Sequence, residues 1–256
     1  QDLHPCAWWA IDTHLRLDWY LAKAPDFDVV FTAQRDGALQ LRQAGVPAAF
    51  WLPLACDPEI HCRHEVAKVF DVGFVGHLFP GPRTELVELL QRRYPNSFVG
   101  QRFFQDMART YSETRVVFNR SLRQDVNMRV FEALACGSLL LTNELPDQNE
   151  LFRPGVHLAT YQDGHDLLEK VAFYLTHAHI REEIAAAGRA LVLAKDTYRH
   201  RMAQILEVTQ RHQFMRAQGG WPGSKPDPTK PAIPAATPSL TEMEKHILAL
   251  VPPTAR

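Results

Sequence analysis

The stretch VNMRVFEALACGSLLLTN, Val126 to Asn143, decides the fold. In its first half Met128, Val130, Phe131, Ala133, Leu134 and Ala135 surround a single carboxylate, Glu132, with apolar side chains. Cys136-Gly137 ends that helix, since glycine readily takes the left-handed backbone of a helix C-terminus. The chain then runs at once into SLLLT, a continuous apolar strand. A buried helix leading straight into a strand that is apolar on both faces indicates a parallel sheet covered by helices. An unpaired buried carboxylate is costly, so Glu132 requires a partner. One candidate is Arg129, a turn earlier on the same helix. The other is a ligand offering two hydroxyls at carboxylate spacing, such as a ribose. The amides of Asn127 and Met128, at the start of the same helix, would face a diphosphate favourably. Ribose and phosphate held by one helix imply a nucleotide.

Outward from this stretch, strand-like and helix-like segments alternate for about two hundred residues. CAWWAI reads as a strand, HLRLDWYLAKA as a helix, VVFTA as a strand, RDGALQLRQAG as a helix ending at Gly45, and AAFWLPLA as a strand. The polar interruption CDPEIHCRHEVAK follows, and a second series begins at VFDVGFVGH. Helix RTELVELLQRRY, strand SFVG, helix FQDMARTYSET and strand RVVFNRS lead to the opening stretch. VHLATY is the last strand before three helices between about Gly164 and Met215, the last of them expected to brace the first domain. The pattern predicts an α/β protein of two Rossmann-like domains with parallel sheets, the first incomplete at its N-terminus. The expected division is residues 1–66 for the rear part of the first domain and 67–216 for the second. A Pro-rich linker, with six prolines between Pro222 and Pro238, covers 217–238. A terminal helix is expected over 239–256, capped by Ser239 or Thr241 and leading into a fused downstream domain. The chain opens with Gln just before a strand, which reads as a fragment of a longer protein.

Composition restricts the function classes further. Hydrophobic content of 46%, charged content of 22% and a net charge of -1 are those of a globular protein without a basic nucleic-acid-binding face. Arg supplies 21 of the 28 basic residues, a bias that suits planar anions. No run of eighteen apolar residues is present, so no membrane span is expected. Cys6, Cys56, Cys62 and Cys136 show no disulfide-framework spacing, which favours a reducing, cytoplasmic setting.

MRVFEALACGSLLLTN resembles the donor-site segment of GT-B glycosyltransferases of the family 4 type, which read Glu-Ala-x-Ala-Cys-Gly here. WWAIDTHL, WLPLACDPEIH, DVGFVGH, NMRVFEALACG and TYRHRM together are similar to the CgeB-like (spore maturation protein) branch, over about residues 5–210. The resemblance implies transfer of a sugar from a nucleotide diphosphate sugar to an unknown glycan, protein or small-molecule acceptor, with retention of configuration and without an obligatory metal. No cofactor is expected beyond that co-substrate. By this analogy Glu132 holds the ribose, Gly76 lets the backbone approach the donor phosphates or the acceptor cleft, and Arg83 is a cation for the diphosphate. The family's second acid, eight positions before the Glu, is Gln124 here, with Asp125 adjacent: either Asp125 substitutes from a shifted loop, or the sugar contact differs.

Asp12 and His14 follow a strand's carboxyl end, where ligands bind in open α/β sheets. The resemblance puts them on the acceptor side, Asp12 as a proton acceptor and His14 orienting the acceptor or steadying the leaving phosphate. The alternative for Asp12 is a helix cap; those for Arg83 and Gly76 are a solvated helix start and an ordinary βα turn. Cys56, His61, Cys62 and His64 match no standard zinc spacing, and Asp26–Asp28 precedes its strand instead of following it. No metal site is therefore expected. The absence of Gly-x-Gly-x-x-Gly and Walker sequences argues against NAD and ATP. Two rival readings are a nucleotide-sugar epimerase and a non-catalytic module that binds a nucleotide sugar or glycan.

Overall fold

The computed structural model describes residues 4–123 and 125–218, and the chain forms two compact units. Of the described residues, the first comprises 4–53 and 202–218, the second 54–201. In the first, strand β1 (Ala7–Ala10), helix α1 (Leu17–Lys23), strand β2 (Val29–Thr32), helix α2 (Arg35–Gln43) and strand β3 (Ala49–Trp51) succeed one another. The sheet is parallel in the order β1-β2-β3. All of β2 is buried, as its unbroken run of apolar residues requires. Val30 packs on one face with Ala10, Ala24, Leu41 and Ala49, while Val29 and Phe31 pack on the other with Ala48, Phe50 and Leu52. The strand expected from AAFWLPLA is shorter than its apolar run: after Trp51 the chain leaves the ladder toward Pro53, which has no N–H to donate.

The second unit carries strand β4 (Phe70–Val75), helix α3 (Pro82–Arg93), strand β5 (Ser97–Gly100), helix α4 (Phe104–Glu113) and strand β6 (Thr114–Asn119). Helix α5 (Met128–Ala135), strand β7 (Leu139–Asn143), short helix α6 (Gln148–Leu151) and strand β8 (Ala159–Tyr161) follow, then helices α7 (Gly164–Thr176) and α8 (Ala178–Lys195). Its five parallel strands lie in the order β5-β4-β6-β7-β8. Val72, Phe74, Val116, Phe118, Leu139, Leu141 and Tyr161 form one core layer with Val87 and Leu90 of α3 and Leu167 and Val171 of α7. Helix α5 buries Val130, Phe131, Ala133, Leu134 and Ala135, and Gly137, at φ +70°, turns the chain into β7. Asp163 caps α7 by accepting from the amides of His165 and Asp166.

Helix α9 (Tyr198–Ala217) carries the chain from the second unit to the first, where Ile205 and Val208 pack against the layer of Val29 and Phe31. Residues 54–66, assigned to the first domain from the sequence, cluster with the second unit. The cause is hydrogen bonding. Cys56 donates its amide to the Asp196 carbonyl (3.0 Å) and accepts from the Tyr198 amide (2.9 Å). Arg201 reaches the Leu54 carbonyl (3.2 Å) and the Asp196 carboxylate (2.6 Å). The His64 amide donates to Ser112. The linker beyond Gln218 and the helix expected over 239–256 lie outside the described residues. Among the described residues no helix is long and apolar enough to cross a membrane.

Candidate functional site

In the five-stranded sheet β4 pairs with β5 on one side and β6 on the other, so successive connections depart in opposite directions from β4. Ligands of open α/β sheets bind at such a switch point, outside the carboxyl ends of the strands. Here Arg129 of α5 spans the crevice. Its Nε donates to the Val75 carbonyl at the end of β4 (2.8 Å), and its Nη1 to Asn119 Oδ1 at the end of β6 (2.8 Å). Asn119 is held in turn by its own donation to Thr142 Oγ1 of β7 (2.9 Å). Gly76 follows β4 at φ +152°, and a Cβ there would meet Arg129 Nη2 at 2.4 Å. The backbone thus favours glycine, and any side chain here would also displace the guanidinium.

Arg83, in the first turn of α3, donates from Nε and Nη2 to the Arg120 carbonyl just past β6 (3.0 and 2.8 Å). Phe74 lies beneath both cations, its ring centre 5.8 Å from the Arg83 and 4.9 Å from the Arg129 guanidinium carbon. Among the described residues neither Arg forms an ion pair with a carboxylate. Burial and the neighbouring Arg129 lower the Arg83 pKa to about 10, against Asp125 and Tyr161. Two half-buried cations held by carbonyls at a switch point are chemically suited to an anion.

The N-terminus of α5 opens beside them. Asn127 occupies the cap position, but no side chain caps the helix. Its Nδ2 donates weakly to Asn119 Oδ1 (3.4 Å), and its Oδ1 is buried without a donor among the described residues. Met128 is exposed, with its sulfur accepting from the Tyr198 hydroxyl (3.3 Å). Glu132, one turn on, is mostly buried. Burial raises its pKa above the usual range, opposed by the charge of Arg129. Arg129 is nevertheless not its ion-pair partner, contrary to the expectation from helical spacing, because backbone and Asn119 acceptors engage the guanidinium. The group facing Glu132 Oε1 is His61 Nε2, at 3.7 Å, on a ring that is itself buried. Sequence reasoning missed this residue as a site component, since it lies in a polar stretch far along the chain. It missed Arg129 as an anion ligand by pairing it with Glu132.

The remaining expected residues fall as follows. Asp125 accepts the Ser121 hydroxyl (2.6 Å) and gives its amide to the same oxygen (3.0 Å), so it is folded into its own loop. Gln124 lies outside the described residues. In the first unit, Asp12 is exposed at φ +61° just after β1; it precedes a short helical turn over Thr13–Leu15 but forms no side-chain cap. His14 is half-buried, its Nδ1 buried without a partner among the described residues. Cys56, His61, Cys62 and His64 do not converge as a ligand set. Among the described residues, only His4, Cys6 and Asp28 bring three ligand atoms together. Asp28 is already engaged there by His4 and Arg216, each at 2.6 Å. Asp26 pairs with Lys23 instead of Asp28.

The model of the family described as glycosyl transferase-like matches residues 63–207, more than half of the chain. The chain belongs to the glycosyl transferase-like family. No curated protein sequence matches it. Among solved structures, HepE of Anabaena in complex with UDP and glucose is similar at 14% identity and a TM-score of 0.60, covering 83% of this chain and 71% of HepE. A glycosyltransferase of Rickettsia africae aligns at 10% identity and a TM-score of 0.61, over 77% of this chain and 66% of its own. TarM of S. aureus aligns at 11% identity and 0.60, over 75% of this chain but only 46% of TarM. At these identities the likeness establishes the fold, that of GT-B glycosyltransferases, as the motif resemblance implied. The family match takes in Gly76, Arg83, Asn127, Arg129 and Glu132, that is, both sides of the β4–β6 crevice.

Proposed function

We propose that the chain binds a nucleotide diphosphate sugar in the second unit and transfers its sugar to an acceptor, with retention of configuration and without an obligatory metal. One observation carries this reading: Arg83 and Arg129, unpaired with any carboxylate among the described residues, meet the open N-terminus of α5 at the switch point, one turn from a buried carboxylate. The two guanidinium groups and the α5 amides take the diphosphate, and Glu132 accepts from the two ribose hydroxyls. As the bond from the anomeric carbon to the phosphate oxygen breaks, charge develops on the diphosphate, where these donors already point. The acceptor oxygen forms the new glycosidic bond, and its proton passes to the departing phosphate oxygen. We assign Asp12 and His14 to the acceptor side, Met128 and Asp125 to the border of the donor site, and the chain to the CgeB-like branch and the cytoplasm; the free state of all four cysteines agrees with the last.

HepE structures hold UDP, UDP-glucose, or UDP with glucose, which makes UDP the first nucleotide to try. The test is calorimetric binding of UDP, GDP, ADP and TDP, with Glu132→Ala as control. Tight binding of one nucleotide, lost in the variant, supports the reading. Binding of none by a folded protein overturns it. Binding without donor turnover in the presence of candidate acceptors favours the non-catalytic module.

A further inference from the structure

The buried face of Glu132 is built by more than its own helix. Within electrostatic reach of its carboxylate are Arg129 on α5, Cys136 at that helix's C-terminus, Tyr111 on α4 and Tyr198 at the start of α9, while His61, from the segment before β4, faces it at 3.7 Å. His61 has a defined tautomer. Its Nδ1 accepts the Asp57 amide at 2.9 Å, which places the ring proton of the neutral imidazole on Nε2, the nitrogen 3.7 Å from Glu132 Oε1. Asp57 itself is set by a turn in which its carbonyl accepts from the amides of Ile60 and His61. The ring is thus anchored on one side by backbone and directed on the other at the carboxylate. Burial lowers the His61 pKa, opposed by Asp57, so the ring stays neutral and keeps this arrangement at physiological pH.

We infer that His61 is a positioning residue: its Nε2–H faces Glu132 and holds the carboxylate in the orientation that receives a nucleotide's ribose hydroxyls. The inference rests on the ribose-binding reading of Glu132 and adds the group that sets its geometry. At 3.7 Å the contact is longer than a hydrogen bond, and such apo contacts tighten in a ligand complex. The neutral donor also favours the ionised carboxylate, the only form that accepts from both hydroxyls.

The test compares His61→Phe, which keeps a ring but no donor, with His61→Gln, whose terminal amide restores a donor near the Nε2 position. Affinity for the nucleotide that the wild type selects is measured between pH 5 and 8, and the Glu132 carboxyl is titrated by carbon NMR in the ligand-free proteins. The phenylalanine variant is expected to lose about tenfold in affinity at neutral pH and to move the Glu132 midpoint up by about one unit, the loss of one modest charge–dipole interaction. The glutamine variant is expected to recover most of both. Packing alone would not move the Glu132 midpoint. If Glu132→Ala abolishes binding while His61→Phe leaves affinity and midpoint unchanged, the inference falls and the ribose reading stands. If the folded wild type binds no nucleotide, both fall. Should His61→Phe not fold, a wild-type affinity and midpoint in His61→Gln supports the inference only if His61→Ala shifts both; an unshifted alanine variant overturns it.

Discussion

Glu132→Gln separates a ligand-binding carboxylate from a structural one. The substitution keeps shape and one acceptor but replaces the second with a donor, so a bound ribose loses about one hydrogen bond to a charged group. Such bonds contribute about 1.5–3 kcal/mol, equivalent to roughly a ten- to a hundredfold weaker nucleotide complex. Stability should move the other way. Burial raises the Glu132 pKa above its ordinary value of 4.5, so the folded state holds this proton more tightly than the unfolded chain. Ionisation therefore costs folding free energy, a cost absent below pH 4.5 and growing as pH rises toward the folded value. Gln carries no such cost. The variant is expected to melt no lower than the wild type at pH 7, and the difference to close as pH falls to 4.5. Calorimetric titration with nucleotide and thermal melts from pH 4 to 8 measure both. A variant that melts several degrees lower yet binds nucleotide as tightly as the wild type would refute the reasoning and make Glu132 the structural partner of His61.

Arg83→Ala should weaken diphosphate binding more than tenfold with little loss of stability, since it ends only two bonds to one carbonyl; nucleoside monophosphate against diphosphate affinities check it. Arg129→Ala should weaken binding similarly and also lower the melting temperature, because it removes the side-chain link between the carboxyl ends of β4 and β6. Gly76→Ala should impair nucleotide binding by displacing Arg129, and nucleotide titration of a variant shown to fold by circular dichroism reads it. Asp12→Asn and His14→Gln should leave nucleotide affinity unchanged while lowering turnover at least tenfold, measured by sugar release from the donor in the presence of acceptor. For Asp28, burial favours the neutral acid, but bonds from His4 and Cys6 prevail and lower its pKa to about 2. That stabilisation is present above its unfolded value of 3.8 and is lost as pH falls toward 2. Asp28→Ala should therefore cost about 1–2 kcal/mol at pH 7, reduced by the exposure of His4 and Arg216, and progressively less as pH falls from 3.8 through the folded value, as denaturant melts will register.

The alternation of β4 to β8 with their helices was legible because each strand is an apolar run too short for a helix and each helix shows its own periodicity. Glu132 stood out because one acid among Val130, Phe131, Ala133 and Leu134 has no solvent to face. Other features depend on tertiary placement. Arg129 has an ordinary i,i+3 spacing to Glu132, and only the folded sheet ends reveal that Val75 and Asn119 claim it. His61 sits among residues that look like a connector, and its role arises from the turn at Asp57 that brings the ring under α5. The four residues of α6 are too few to show periodicity. The unit boundary moved from 66 to 53 because bonds between Cys56 and residues 196–198 are invisible to a local reading.

Those same bonds between Cys56, Asp196 and Tyr198 mean that the second unit starts and finishes at one place. A stretch of chain whose ends are stitched side by side behaves as a closed loop inserted into its host, and the entropy of bringing those ends together is already offset within the unit. Such a piece is suited to transplantation: grafted between two neighbouring points of another scaffold, it would need no long spacer, and the Arg83–Arg129–Glu132 cluster would travel with it.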